Sequence, residues 1–324
     1  MKAMVCETFG GPEVLALREL PDPPPPAPGE IQVRIGARGV QYVDVLMLAG
    51  KYQFRPEPPF IPGREAAGVV VAVGAGVADF QVGDRVMSRH TLGALAELGN
   101  AEAVLCDKIP PGMSLEHAGV FRGAYATAYY ALLQRGRMVA GEWVLVHGAA
   151  GGIGIAAIQI AKLFGARVIA TASTEAKRAA CVEEGADHAI EYQGGFVDQV
   201  KALTGKRGVD IVYDPIGDKV GEESLRCLAW GGRLLILGFL GGGPTNIRSN
   251  YLLIKGIDVL GVRIGGLNEE NPGLAIANMK ALSELAGQGK LKPRISHRFR
   301  LEEAAQALQA VIDRSVIGKA VLVS

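Results

Sequence analysis

A glycine-dense turn near the middle of the chain restricts the possible folds more than any other feature. An apolar run, Trp143–Val146, leads into the segment Ala149-Ala150-Gly151-Gly152-Ile153-Gly154, and a helix-like stretch continues to Phe164. Gly165 ends that stretch, and a second β-branched run occupies Arg167–Thr171. The order strand, turn, helix, strand predicts a unit of a parallel sheet that holds a dinucleotide pyrophosphate at the helix N-terminus.

The glycines of this turn have a physical purpose. The backbone must approach the phosphates without a Cβ in the way, and free N–H groups at the helix start must point at the negative charge. We therefore expect Ala150, Gly151, Gly152 and Ile153 to contact the cofactor. Ala149 stands at the first glycine of the usual GxGxxG pattern. The flanking strands and helix, rather than the glycine pattern alone, therefore favour a cofactor-binding turn over the alternative, an ordinary buried turn.

The residues after the second strand favour NADPH over NADH. A site for NAD usually places Asp or Glu there to bind the ribose 2′-hydroxyl, whereas this chain has Thr171-Ala172-Ser173-Thr174 and then Lys177 and Arg178. Hydroxyls and a cation would bind a 2′-phosphate through charge-assisted hydrogen bonds, and a carboxylate would repel it. We expect Ser173 and Lys177 to make this contact. The alternative is that Ser173 or Thr174 only caps the next helix, with both cations facing solvent.

Composition excludes several classes of protein. The 324 residues suffice for two domains, and a net charge of +1 without a basic run argues against a nucleic-acid surface. No uncharged apolar stretch is long enough to cross a bilayer, and the opening segment MKAMVCETFG lacks the apolar core of a signal peptide. The four cysteines are far apart without a CxxC pair, which indicates reduced thiols in a cytoplasmic protein.

The pattern of elements changes along the chain. Residues 1 to about 120 contain short β-like runs between turns, which indicates a mostly β domain with partial barrel character. Strands and helices alternate from about 121 to 265, which indicates a doubly wound parallel sheet. The tail is too short to stand alone, so we expect it to complete the first domain, with the active site in the cleft between the two domains. Predicted strands are 2–6, 31–37, 68–73, 85–87, 103–106, 143–147, 167–171, 188–190, 209–213, 232–237, 257–262, 296–300 and 318–323; predicted helices are 152–164, 175–184, 195–203, 218–229, 274–286 and 301–313.

Four motifs together resemble one known family from end to end. They are the glycine-rich turn, Pro-Gly-Arg-Glu-Ala-Ala-Gly at 62–68, Val-Gly-Asp-Arg-Val at 82–86 and the ending Gly318-Lys319. The chain resembles the medium-chain dehydrogenase/reductase superfamily and, within it, the quinone oxidoreductase (zeta-crystallin-like) branch. The resemblance implies a Rossmann domain over 121–265 and a GroES-like, mostly β catalytic domain over 1–120, completed by 266–324.

The resemblance also predicts that no zinc is bound. Alcohol dehydrogenases of this superfamily bind catalytic zinc through a Cys in the segment corresponding to 39–44 and a His in the motif corresponding to 63–65. This chain has Gln41 and Arg64 there, and the four close cysteines of the structural zinc lobe have no counterpart. Zinc needs thiolates or imidazoles at tetrahedral spacing, so we expect no metal ligands.

Without a Lewis acid, hydride delivery to an electrophilic carbon remains feasible. The resemblance implies transfer from NADPH to a quinone or to the β-carbon of an α,β-unsaturated carbonyl, whose oxygen then needs a hydrogen-bond donor and a proton. Tyr42 and Tyr52 match tyrosine positions of the family and are our candidate catalytic residues. Alternatively either ring packs in the core, and solvent supplies the proton.

Further contacts follow from the resemblance or from strand ends. Thr127 and Tyr192 match cofactor contacts of relatives, while Gly238 and Phe239, like the segment 214–217, follow strands whose carboxyl ends gather ligands. Among the five histidines, only the one beside the turn, His147, is worth testing, since a structural or surface role is expected of the others. For Arg64 and Arg263 we expect surface salt bridges rather than binding of an acidic substrate.

Two other functions remain open. An enoyl- or acryloyl-CoA reductase would want a basic patch for the CoA phosphates, and the sequence contains no such cluster. An NADPH-binding protein without catalytic function is the third hypothesis. In all cases we expect a homodimer, because the apolar run 257–262 would be an edge strand that a second copy would cover.

Overall fold

The chain divides into two compact units. The structure is a computed structural model and describes residues 1–192 and 195–324. The first unit comprises Met1–Gly123 and Met279–Ser324, and the second comprises Ala124–Asn278. The strands are β1 (Lys2–Cys6), β2 (Leu15–Glu19), β3 (Glu30–Val40), β4 (Glu65–Val73), β5 (Arg85–Arg89), β6 (Leu98–Glu102), β7 (Cys106–Lys108), β8 (Trp143–Val146), β9 (Arg167–Thr171), β10 (His188–Ile190), β11 (Val209–Asp214), β12 (Leu228–Ile236), β13 (Asp258–Gly261), β14 (Ile295–Arg300) and β15 (Lys319–Val323).

Helices flank these strands. The α-helices are α1 (Tyr42–Leu48), α2 (Leu115–Ala118), α3 (Arg122–Tyr129), α4 (Gly152–Leu163), α5 (Glu175–Glu183), α6 (Phe196–Leu203), α7 (Asp218–Cys227), α8 (Ser249–Lys255), α9 (Ile264–Glu270), α10 (Pro272–Gly287) and α11 (Ala304–Ile312). A π-helical segment, Tyr130–Arg135, continues α3, and short 3₁₀ turns cover Pro12–Val14, Ala103–Leu105 and Leu301–Glu303. None of the helices in the described part of the chain is both long and apolar enough to cross a membrane.

The second unit is built on a six-stranded parallel sheet. Its strand order is β10-β9-β8-β11-β12-β13, so the order reverses between β8 and β11. Every residue of β8 and β11 is buried, because helices cover both faces of such sheets. This burial explains the apolar run of β8 and the apolar centre of β11, residues 211–213. This confirms the predicted doubly wound sheet. A ligand is expected at the reversal point, beyond the carboxyl ends of the strands.

The first unit is mostly β. Its seven-stranded sheet has the path β14-β15-β3-β4-β5-β7, with β6 also paired to β3. The long β3 pairs with β6 over Glu30 to Arg34 and with β15 over Ala37 to Val40. The end of the chain therefore supplies a strand to the sheet that the first residues build, and the mostly β character predicted for this region is confirmed.

One predicted strand, 103–106, is wrong in its position. Residues Ala103–Leu105 form a 3₁₀ turn, and the strand begins at Cys106, where the chain pairs with β5. The turn follows β6, a strand without β-branched residues that forms because β3 offers it a partner. Pairing between distant segments overrode local preference here.

Candidate functional site

The glycine-rich turn presents unpaired backbone donors. Gly151 is the N-cap of α4, and no side chain of the described residues caps this helix. The first helical hydrogen bond runs from Ile155 N to Gly151 O at 2.8 Å. The N–H groups of residues 152–154 therefore have no partner within the helix, which is the arrangement that binds a phosphate.

Close packing explains the last glycine of the turn. A Cβ on Gly154 would lie 2.5 Å from Ala149 O and 2.6 Å from Gly148 O, so any side chain would push α4 away from the turn. Ala149 is tolerated in place of the first glycine, because the positive φ of the turn, +56°, falls one residue earlier at Gly148. The Ala149 N–H donates to Thr171 O at 3.1 Å and ties the turn to the end of β9. The turn therefore fits a dinucleotide.

His147 is a structural residue. Its ring is fully buried, with Nδ1 2.9 Å from Thr171 Oγ1 and Nε2 2.8 Å from Ser224 Oγ. Because Ser224 donates its own proton to Val220 O, Nε2 is the donor and Nδ1 accepts from Thr171. Burial lowers the pKa of His147 to about 3, so the ring is neutral and holds strand ends in place.

The end of β9 combines a helix cap with an available hydroxyl. Thr174 Oγ1 accepts from Lys177 N at 3.3 Å and caps α5, while Arg178 Nη1 donates to Ala172 O at 3.2 Å. Ser173 is half-buried, and its hydroxyl has no hydrogen-bond partner among the described residues. The capping alternative therefore applies to Thr174, and Ser173 and the half-buried Lys177 remain the candidate phosphate contacts.

Adjacent strands bring the remaining candidates of the second unit to one edge. Val146 at the end of β8 lies opposite Ala170 and Tyr213, so the turns after β8, β9 and β11 share the carboxyl edge of the sheet. Gly238 and the half-exposed Phe239 follow β12 at the same edge. Tyr192 follows β10 and packs against the core of the unit, and Thr127 is a half-buried residue of α3.

Backbone hydrogen bonds join the loops after β11 and β12. Leu237 N donates to Asp214 O at 2.9 Å, and Gly241 N donates to Ile216 O at 2.7 Å. Asp214 Oδ1 accepts from the N–H groups of Ile216 and Gly217, at 2.8 and 3.0 Å. Burial raises the pKa of Asp214, whose second oxygen has no partner among the described residues. The Asp214 side chain thus stabilises the loop after β11 by binding its backbone N–H groups.

In the first unit, Tyr52 and Arg64 form a pair. Arg64 Nη1 donates to the Tyr52 hydroxyl at 3.3 Å, and its Cζ lies 5.6 Å from the centre of the Tyr52 ring. Gln53 Nε2 also donates to this hydroxyl, at 3.4 Å. Tyr52 is half-buried, so both its proposed site role and the alternative of a packed ring with a surface hydroxyl stay open. Tyr42, the first residue of α1, is 40% exposed.

Two buried carboxylates lie close to this pair in the chain or in space. Glu65 Oε1 is 2.8 Å from Lys319 Nζ, and its Oε2 accepts from Gly123 N at 2.9 Å. Asp44 Oδ2 accepts from Gln41 N at 2.9 Å, and its Oδ1 has no partner among the described residues. Burial raises the pKa of Asp44 to about 7. Neither carboxylate was predicted as a site residue, although Glu65 and Lys319 both belong to motifs that carry the family resemblance.

Arg64 lacks the surface salt bridge that the sequence suggested. No carboxylate of the described residues lies within ion-pair distance of it, whereas Arg263 does pair with Glu269 at 3.0 Å, as expected. The described residues also contain no group of three or more His, Cys, Asp or Glu side chains placed to hold a metal ion.

Comparison with known proteins places this geometry in a family. The alcohol dehydrogenase GroES-like domain matches residues 27–140, and the zinc-binding dehydrogenase family matches residues 152–281. Quinone oxidoreductase-like protein 2 of Mus musculus is 36% identical over 323 residues, which cover 99% of this chain and 91% of the mouse protein. The quinone oxidoreductase of Homo sapiens is 33% identical over 325 residues, covering 99% and 97%.

A solved structure agrees over its whole length. The Escherichia coli quinone oxidoreductase complexed with NADPH superposes with a TM-score of 0.93 at 31% identity, and the match covers 100% of each chain. The GroES-like and Rossmann folds predicted from the sequence are thereby confirmed. The chain belongs to the medium-chain dehydrogenase/reductase superfamily, in its quinone oxidoreductase branch.

Proposed function

We propose that this protein is an NADPH-dependent reductase that reduces a quinone or an α,β-unsaturated carbonyl without zinc. The observation that carries the proposal is the set of unpaired N–H groups at the start of α4, beside a β9 end without a carboxylate. The NADPH named for the E. coli neighbour supports the same cofactor. Bound NADPH would supply a hydride to an electrophilic carbon of the acceptor.

The second unit supplies the proposed cofactor contacts. Backbone N–H groups at the start of α4 would bind the pyrophosphate, and Ser173 and Lys177 would bind the 2′-phosphate. The other proposed contacts are half-exposed or half-buried residues at strand ends or on α3. The full set is Thr127, Ala150, Gly151, Gly152, Ile153, Ser173, Lys177, Tyr192, Gly238 and Phe239.

The first unit supplies the proposed acceptor contacts. The Tyr52 hydroxyl accepts from Arg64 and Gln53, so its own proton is available to an oxygen of the acceptor. The exposed ring of Tyr42 would contact the acceptor or the cofactor. In this proposal the functional domains are 1–120, completed by 266–324, for the acceptor, and 121–265 for the cofactor.

The residues at the two zinc-ligand positions support the zinc-free proposal. Gln41 stands where the zinc branch has Cys, and Arg64 where it has His. Glu65, the acidic neighbour of that position, is paired with Lys319.

A panel of quinones and enones, assayed with NADPH and with NADH, tests the function. NADPH-dependent turnover of at least one acceptor is expected, and binding of NADPH without turnover of any acceptor would favour a non-catalytic role.

We also propose a homodimer in the cytoplasm. Strand β13 is an edge strand, and the neighbouring Trp230 and Leu253 are 82% and 86% exposed. An open edge flanked by large apolar side chains is an aggregation hazard that a second copy would cover. Sedimentation should show a dimer that Leu253→Glu weakens, and a wild-type monomer at micromolar concentration would contradict the assembly. None of the four cysteines, all of which are described and buried, forms a disulfide, which suits a reducing compartment.

A further inference from the structure

Arg64 is a half-buried cation that forms no ion pair with a carboxylate of the described residues, although its charge acts on the buried Asp44 and opposes the rise that burial causes in the pKa of that group. Glu65, the next residue in the chain, has both oxygens engaged, one by Lys319 and the other by the N–H of Gly123. Asp44 is turned to the backbone of Gln41. Among the described residues, no carboxylate reaches the Arg64 guanidinium within 4.0 Å. Its positive charge is therefore available to a ligand.

The hydrogen bonds of Arg64 leave most of its donors available. A guanidinium has five N–H donors, and the structure uses one of them, the Nη1 bond to the Tyr52 hydroxyl. The hydroxyl in turn accepts from Arg64 and Gln53, which directs its proton to a third partner. Arg64 and Tyr52 thus offer donors side by side.

We infer that Arg64 and Tyr52 form an oxyanion-binding site for the carbonyl oxygen of the acceptor. The inference rests on the proposed function and adds a residue and a ligand class to it. The ligand is an oxygen that carries negative charge as an enolate or as a hydroquinone monoanion, the anions that hydride addition to an enone or a quinone produces. Arg64 donates to that oxygen with a full positive charge, and Tyr52 donates with its hydroxyl.

The site gives Arg64 two roles. It holds the Tyr52 hydroxyl in one orientation, and it contacts the acceptor oxygen directly.

A hydrogen bond to a charged group changes affinity by roughly tenfold to a hundredfold. The affinities of the protein for a probe that carries an oxyanion and for one that lacks it should therefore differ by that factor.

The test measures binding of 4-nitrophenolate, an aromatic oxyanion, and of 4-nitroanisole, its uncharged analogue, to the full-length protein. Titrations are run with and without NADP⁺ on the wild type and on Arg64→Met, Arg64→Lys and Tyr52→Phe. The matched control is Arg55→Met. Arg55 lies on the same loop as Tyr52 and also stacks on a ring, with its Cζ 4.6 Å from the centre of the Phe9 ring, but it is exposed and does not donate to the Tyr52 hydroxyl.

The wild type should bind the phenolate about tenfold or more tightly than the anisole. Arg64→Met should abolish that preference, Tyr52→Phe should reduce it, and Arg55→Met should keep it. In the turnover assay, Arg64→Met should lower kcat for the acceptor and leave the affinity for NADPH unchanged. A purely structural Arg64 would not separate these readouts.

An unchanged preference in Arg64→Met, or no preference in the wild type, would overturn the inference. If thermal unfolding shows that Arg64→Met does not fold, the phenolate preference of Arg64→Lys tests the inference instead. It keeps the charge but loses the planar fork, so a several-fold smaller preference supports the site and an unchanged one contradicts it. Failure of the proposed function can be distinguished from failure of this inference. The preference for the phenolate is a binding measurement, so it can be present or absent in a wild type that reduces no acceptor.

Discussion

The Arg64 guanidinium donates from Nη1 to the Tyr52 hydroxyl across 3.3 Å. This bond joins the residue that stands at a zinc-ligand position of the alcohol dehydrogenases to the tyrosine that the sequence singled out. A fixed cation and a hydroxyl thereby lie together in the first unit, 12 residues apart in the chain. In our account they stabilise negative charge on the acceptor oxygen, as zinc does in the other branch.

Tyr52→Phe should lower kcat by about 10²–10³, because one oxyanion donor is removed while the ring is kept. The affinity for NADPH, measured by fluorescence titration, should not change. Tyr42→Phe is the comparison, since the Tyr42 ring is exposed and its contact is proposed for the ring rather than for the hydroxyl. Full turnover in both variants would mean that the tyrosines are structural and that the proton comes from solvent.

Lys177→Ala should weaken NADPH binding by about tenfold or more and leave NADH binding nearly unchanged, since a charged hydrogen bond to the 2′-phosphate is lost. Both dissociation constants are measured by fluorescence titration. Lys201→Ala is the control, because Lys201 lies in the last turn of α6, which leads to the opposite, amino end of β11. Equal losses for NADPH and NADH would refute the phosphate assignment.

Gly154→Ala should reduce both stability and NADPH affinity. The new Cβ would lie 2.5 Å from Ala149 O, so the turn or α4 must shift, at a cost of about 1–3 kcal/mol. Gly273→Ala is the matched control, because a Cβ on this exposed glycine of α10 would have no neighbour within 4 Å. Denaturant unfolding and NADPH titration measure the two effects. Unchanged NADPH affinity would place the cofactor elsewhere.

Asp44→Asn should become more stable relative to the wild type as pH rises. Burial raises the pKa of Asp44 from 3.8 to about 7, so the folded protein holds a proton there that the unfolded chain has released. The contribution of Asp44 to the free energy of unfolding therefore falls between about pH 4 and pH 7. Denaturant unfolding of both proteins across this range gives the difference.

The comparison with Asp44→Asn is needed because two buried histidines change the free energy of unfolding with pH in the opposite direction. Burial lowers the pKa of His90 to about 4 and that of His147 to about 3, so their contribution to stability rises with pH up to about 6.5. The difference between the two proteins cancels this effect. A difference that does not vary with pH would show that Asp44 is ionised in the fold throughout.

The parallel sheet could be predicted from the sequence because its central strands are buried on both faces. Such strands contain continuous apolar runs. The strand Arg167–Thr171 was predicted with its exact bounds, and the strand predicted at 143–147 ends one residue earlier, at Val146. Strand β6 was missed, since its residues are poor strand formers that depend on pairing with β3. Helix α1 was missed too, because it is short and lies in a turn-rich region.

The candidate site was only partly predictable, for a related reason. The glycine-rich turn is local in sequence, and its uncapped N–H groups follow from its own residues. The Glu65–Lys319 ion pair joins positions 254 residues apart, and the bond between Arg64 and Tyr52 depends on how a loop folds back. No periodicity or spacing reports such contacts. Arg64 therefore looked like an ordinary surface cation.

Turnover in the presence of a metal chelator tests the central claim most directly. The purified protein, assayed with NADPH and a panel of quinones and enones, should reduce at least one acceptor at the same rate with and without the chelator. Elemental analysis of the same sample should find no stoichiometric zinc. Loss of activity in the chelator, restored by added zinc, would contradict a zinc-free, NADPH-dependent reductase.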